Sequence, residues 1–161
     1  MPIKPAIAMF ALVLALAFAP PAAWAFSSGG SSSSSSSSAS PSDFDTGRKA
    51  ADSGDYQVAI ASLAKAVNAD PTNADAYSLL GFSYRKLGDV DKAFANYNTA
   101  LELDRGHRGA NEYIGELYLE LGELAKAEEH LSRLGKGCQY ACEEYQELKQ
   151  AVAAYNASQG S

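Results

Sequence analysis

Apolar and small residues recur along this chain at helical spacing, and the pattern itself repeats. Tyr77, Leu80, Gly81 and Tyr84 form a stripe at i, i+3, i+4 and i+7, as one face of an amphipathic helix requires. Leu87-Gly88-Asp89 then stops that helix. Gly88 can take the left-handed conformation that ends a helix cheaply, and Asp89 can cap the next one by accepting its free amide protons. Ala93, Tyr97 and Ala100 line the inward face of this second helix, and Gly81 and Ala93 let the two backbones approach closely. The same residues return 34 positions away in both directions: Gly54, Gly88 and Gly122; Ala59, Ala93 and Ala127; Gly47, Gly81 and Gly115; Leu63, Tyr97 and Leu131. Pro71 breaks the chain after the first repeat, and Arg105-Gly106 stands at the equivalent place after the second.

This register resembles the tetratricopeptide repeat family, with its W-x2-L-G-x2-Y, A-x3-F and P pattern at period 34. Repeat two carries Tyr77, Leu80, Gly81, Tyr84, Ala93, Tyr97 and Ala100; repeat three carries Ile114, Gly115, Tyr118, Ala127 and Leu131; repeat one keeps Gly47, Ala59, Leu63, Ala66 and Pro71. The resemblance implies an all-α fold: three helix-turn-helix repeats (about 40–73, 74–107 and 108–141) in a right-handed superhelix, plus a C-terminal capping helix at 142–156 and a disordered tail at 157–161. Repeat one has Asp43, Thr46 and Ala50 where large apolar residues belong, so its first helix should fray most.

A stack of helical repeats leaves its last apolar face bare and needs a cap. One more step of the register puts Tyr145, Leu148 and Val152 where Tyr77, Leu80 and Tyr84 stood, with Lys149 in place of the close-approach glycine. A lysine there blocks any following helix, so the segment reads as a solvated cap, with Glu143 and Glu144 favourably placed in its first turn. Both cysteines, Cys138 and Cys142, lie at its entry, after Gly135 and Gly137, which leave the approach free to bend. Four residues apart inside a helix, their Cβ atoms would be about 5–6 Å apart, too far for the ~3.8 Å of a disulfide. The bridge forms if Cys138 lies in the turn and only Cys142 is helical. It would contribute roughly 2 kcal/mol by loop closure. Free thiols, a redox pair and a copper site with His130 as third ligand stay open as alternatives. His130 reads as a surface residue beside Glu128 and Glu129. The motif CEEYQELKQAVAAY also resembles the C-terminal ends of small exported tetratricopeptide proteins of alpha-proteobacteria.

The other end of the chain bears on compartment. Lys4 precedes an apolar run from Ala6 to Ala19, and Ala23-Trp24-Ala25 follows as a cleavage site, the layout of a secretory signal peptide at 1–25. As a helix the run spans about 21 Å, short of a ~30 Å hydrocarbon core. Export, with a periplasmic location, is expected, and no membrane insertion after cleavage. Residues 26–42 are a Ser/Gly-rich tract that buries nothing and reads as a flexible linker. Setting Lys4 aside leaves 12 of the 13 basic residues against 19 acidic ones. That balance argues against nucleic acid as a partner.

Catalytic patterns such as H-E-x-x-H, G-x-S-x-G or a phosphate loop are absent from the sequence, and His107 reads as a solvated turn residue. No enzyme activity, cofactor or metal is expected. Function then falls to the concave side, lined by the first helix of each repeat. Neighbours of the packing stripe supply it: Phe44, Arg48 and Asp52; Asp75, Ser78, Phe82, Arg85 and Lys86; Glu112, Glu116, Leu119 and Glu120. This groove should be basic with an exposed aromatic around Phe82 and Arg85, and acidic around Glu116. A protein or peptide ligand is the expected partner, self-association through the groove a further reading, and thiol redox or copper handling by Cys138 and Cys142 the alternative of a different class. Carboxylate-binding tetratricopeptide domains use Lys and Asn where this chain has Ser78 and Phe82, so their ligand does not carry over.

Overall fold

The computed structural model describes residues 42–160, as seven helices with no strand among them. They are α1 (Asp43–Asp52), α2 (Tyr56–Ala69), α3 (Ala74–Lys86), α4 (Val90–Leu103), α5 (Arg108–Glu120), α6 (Leu124–Gly137) and α7 (Glu143–Gln159). The segment expected to be a signal peptide and the serine tract up to residue 41 lie outside the described residues. None of these helices is long and apolar enough to cross a membrane.

Three helix pairs, α1–α2, α3–α4 and α5–α6, stack in order into a right-handed superhelix, and α7 packs on both α5 and α6. The turns follow from the spaced glycines. Gly54, Gly88 and Gly122 have φ of 82°, 80° and 78°. Behind each, the next amide reaches back to the departing helix: Asp55 N–H to Ala50 O (2.8 Å), Asp89 N–H to Tyr84 O (2.9 Å) and Glu123 N–H to Tyr118 O (2.8 Å). Asp89 then caps α4 by accepting the Lys92 amide at 3.2 Å. The joins between pairs share an aspartate. Asp70 Oδ1 accepts the Thr72 amide at 3.0 Å, and Asp104 Oδ1 accepts the Gly106 amide at 2.8 Å, so each aspartate side chain forms a turn of its own.

Ala59, Ala93 and Ala127 are fully buried at the helix crossings. Gly47 seats Leu63 and Gly81 seats Tyr97; a Cβ on either glycine would lie 2.5 Å from the side chain it faces. Leu148 and Val152 of α7 are buried as a cap requires, and Lys149 is exposed. Three local expectations are corrected. The first helix is short but fully formed: Ser42 accepts the Asp45 amide at 3.0 Å, and Phe44 packs on the core beside Ala50 and Ala51. The helix α7 runs to Gln159, so 157–159 are helical rather than a disordered tail. Gly135 and Gly137 belong to α6, and Gly135 makes room for the Tyr140 ring instead of loosening the approach.

Cys138 and Cys142 are bridged, with Cα atoms 5.7 Å apart. Cys138 is the C-cap of α6 and Cys142 the N-cap of α7, so neither lies inside a helix, and the reach problem of a helical pair does not arise. Gln139 and Tyr140 turn the chain between them at φ of 54° and 63°.

Candidate functional site

The inner helices α1, α3 and α5, joined by α7, share one slot of about 370 Å³. Phe44 and Arg48 come from α1; Asp75, Ser78 and Leu79 from α3; Gly109 and Tyr113 from α5 with His107 at its N-cap; Glu144 from α7. Each sits near its helix's first turns, where the superhelix gathers them. Tyr113 extends the slot into an aromatic row: its ring lies 4.9 Å from Phe82, which meets Tyr56 edge-on at 5.9 Å. The Ser78 hydroxyl is buried and has no hydrogen-bond partner among the described residues. His107 is tied on both sides. Its Nδ1 accepts the Ala110 amide at 3.1 Å, so the proton is on Nε2, which donates to Asp75 Oδ1 at 2.9 Å.

Deeper in the groove the charges are acidic. Arg85 crosses from α3 to α5, donating to Glu116 at 2.5 Å and Glu120 at 2.6 Å. Burial works against its charge, but the bonds to Glu120 and Glu116 outweigh that and hold its pKa above the ordinary arginine value. Among the described residues no cation pairs with Glu112. Burial first, then Glu147 of α7 and the nearby Glu116 and Glu144, push its carboxyl up to about 9. Tyr113 is pushed up to about 12 by burial and by Glu112, Glu116, Glu147 and Asp52.

Residues 74–107 match the model of the tetratricopeptide repeat, and residues 47–88 match that of the TPR repeat. Solved structures share the helical-repeat fold. The first TPR of Spaghetti (RPAP3), bound to the HSP90 peptide SRMEEVD, superposes with a TM-score of 0.61 at 25% identity, covering 70% of this chain and 89% of that one. The TPR2B domain of yeast Sti1, in its pHsp70 complex, gives 0.63 at 20% identity, covering 70% and 92%. The Yersinia enterocolitica type III secretion translocator chaperone SycD gives 0.63 at 19% identity, covering 74% and 84%. The fold is that of the tetratricopeptide repeats. No curated protein matches the chain.

Within this tetratricopeptide array, Phe44, Arg48, Asp75 and Ser78 line the slot. Phe82 adjoins it through Tyr113, and Lys86 lies over the Phe82 ring at 5.2 Å. Other expectations need correction. Glu112 and Leu119 are 5% and 9% exposed: α7 covers both, Leu119 packing with Leu148 and Val152. Phe82 is half-buried, and the Arg85 side chain is 6% exposed and neutralised by two glutamates, so no free basic patch stands there. His107 is a bonded cap rather than a solvated residue. His130 is buried rather than on the surface. Asn111 donates its amide to the carbonyls of Arg105 and His107, so its oxygen is the acceptor for His130 Nδ1–H at 3.0 Å. Burial first, then Arg133, lowers the His130 pKa to about 4. Leu79, His107, Gly109, Tyr113 and Glu144 are the slot residues that the reading of the stripe's neighbours misses. Leu79 and Tyr113 do carry a signal, standing 34 positions apart and one position beyond Ser78 and Glu112.

Proposed function

We propose that this chain is an exported scaffold that binds a protein or peptide partner along its concave groove and performs no catalysis of its own. The observation that carries this reading is the slot shared by four successive inner helices, with aromatic rings and an unpartnered buried hydroxyl facing one space. A buried polar group left unbonded costs free energy that a ligand can recover. The first TPR of Spaghetti, a domain of the same fold, is bound to the HSP90 peptide SRMEEVD, which supports a surface that holds a peptide.

A photoreactive residue at Phe44 should cross-link a discrete partner, while one at Ala95, exposed on the outer helix α4, should not. Equal cross-linking from both positions, or none from Phe44, refutes the groove. Export rests on the Lys4-apolar run-Ala23-Trp24-Ala25 layout and on the cystine, which suits an oxidising, periplasmic compartment. A mature N-terminus at Phe26, read by mass, checks it.

One observation favours a second reading, thiol redox chemistry. The Cys142 amide donates to Cys138 Sγ at 3.4 Å, a contact that would steady a thiolate on reduction. Glu143 and Glu144 oppose it by their charge. Rapid turnover of the bridge by a dithiol reductant would support redox chemistry, and a bridge that resists such a reductant would exclude it.

A further inference from the structure

On the outer side of the stack, α4, α5 and α6 line a cavity of about 930 Å³ that the groove reading does not use. We propose that this cavity binds a small aromatic ligand whose neutral hydroxyl or N–H group donates to His130 Nε2. Its volume lies in the range of small-molecule sites. Leu101 of α4, Ile114 and Tyr118 of α5 and His130 of α6 give it apolar and aromatic walls. The His130 residue is 6% exposed, and its ring lies 5.7 Å from that of Tyr118, which Phe94 backs at 5.1 Å. The Asn111 oxygen takes Nδ1–H, so Nε2 is the acceptor nitrogen, and no group among the described residues donates to it. Asn111 does not line the cavity and His130 does, so the ring keeps its bonded edge on α5 and its free edge towards the cavity.

The Asn111–His130 pair stands where the repeat calls for a ring. Asn111 lies 34 positions after Tyr77, which packs on the first core cluster. Packing alone accounts for an aromatic there; it does not account for a buried amide that fixes the tautomer of a histidine. The Asn111 amide and Nδ1 are bonded, and Nε2 is the polar atom of the pair left over. A buried acceptor without a donor costs free energy that a ligand recovers. Among the described residues no group of three His, Cys, Asp or Glu side chains is placed to hold a metal ion, so a hydrogen-bond donor is what Nε2 can take. The charges at the rim balance. Arg133 is paired with Glu129 at 2.5 Å, Lys126 is paired with Glu123 and lies 5.0 Å from the Tyr118 ring centre, and Arg105 and Glu102 add one charge of each sign. A neutral ligand suits such a rim, and burial keeps the imidazole neutral and able to accept.

The test is nitrogen NMR of the imidazole in the purified protein during titration with para-cresol, with toluene as the matching ring without a donor. Para-cresol should shift the Nε2 resonance saturably, and toluene should bind about 10-fold more weakly for want of the hydrogen bond. Asn98→Trp puts a bulky ring at the cavity from an exposed position on α4 and should abolish the shift while the unfolding midpoint stays. Gln57→Trp adds the same ring at an exposed position on α2, away from the cavity, and should leave the shift unchanged. Equal affinity for para-cresol and toluene overturns the donor assignment. No saturable shift at Nε2 means that water alone satisfies it and overturns the site, as does binding that survives Asn98→Trp. These results stand apart from the concave groove, whose cross-link at Phe44 the Asn98→Trp protein should keep.

Discussion

In the α3–α4 pair, Gly81 seats Tyr97 from its own second helix; in the α5–α6 pair, the equivalent Gly115 seats Leu148 from α7. Leu131, which stands in the register of Leu63 and Tyr97, is only half-buried. The middle pair therefore closes on itself, whereas the last pair is completed by a helix from outside the repeat. That substitution does two things at once. It covers the apolar end of the stack, since Leu148 is fully buried with Leu119, Leu134 and Val152 around it. It also draws α7 against α5, so that Glu144 enters the slot and Glu147 meets Glu112. Capping and binding surface are built by one helix, and the bridge between Cys138 and Cys142 holds its start against the end of α6.

The sharpest way to break this contrast is Leu148→Ala. It removes a fully buried side chain from the seam and should cost about 3 kcal/mol. Urea unfolding should show the loss, with 143–159 losing protection before α3 and α4 do. Next come the glycines. Gly81→Ala forces a Cβ against the Tyr97 ring and should cost about 2 kcal/mol of global stability. Gly115→Ala makes a clash of the same size with Leu148 but should release α7 while the repeats stay folded. Combined with Leu148→Ala it should cost clearly less than the sum, because the two residues share one contact. Additive costs would place Leu148 elsewhere.

A smaller effect lies in pH. Glu112 titrates near 9 when folded against 4.5 when free. Its contribution to stability is therefore complete below about pH 4.5 and is lost as pH rises towards 9. His130 runs the other way: its folded pKa near 4, against 6.5, gives stability present above 6.5 and lost as pH falls through 4. Between 6.5 and 9 only the Glu112 slope should remain, and Glu112→Gln should flatten it. A slope unchanged in that variant would assign the titration to another group. Smallest of all is Lys149→Ala. The residue is exposed on α7 and should shift the unfolding midpoint by no more than about 0.5 kcal/mol.

What could be read in the sequence was whatever repeats. Gly54, Gly88 and Gly122 carry one backbone requirement each time, and Asp89 one capping bond, so spacing alone locates the turns and the helices. The cap was legible too, because Leu148 and Val152 continue the stripe. The partner of Gly115 was not. Leu131 and Leu148 are the same residue type, and only the position of α7 decides which one fills the seat. The buried site residues were hidden for a related reason. Glu112 reads as a surface carboxylate until α7 is laid over it, and Arg85 reads as a free cation until α5 brings Glu116 and Glu120 across. His130 looks exposed between charged neighbours because its partner, Asn111, sits 19 positions away on another helix.

Amide hydrogen exchange across α7 bears most directly on the claim that this helix completes the stack and walls the groove. With the Cys138–Cys142 bridge intact, the amides around Leu148 should exchange almost as slowly as those around Leu80 and Tyr97, and should speed up in Gly115→Ala. Free-chain exchange rates over 143–159 in the unmodified protein would contradict the account.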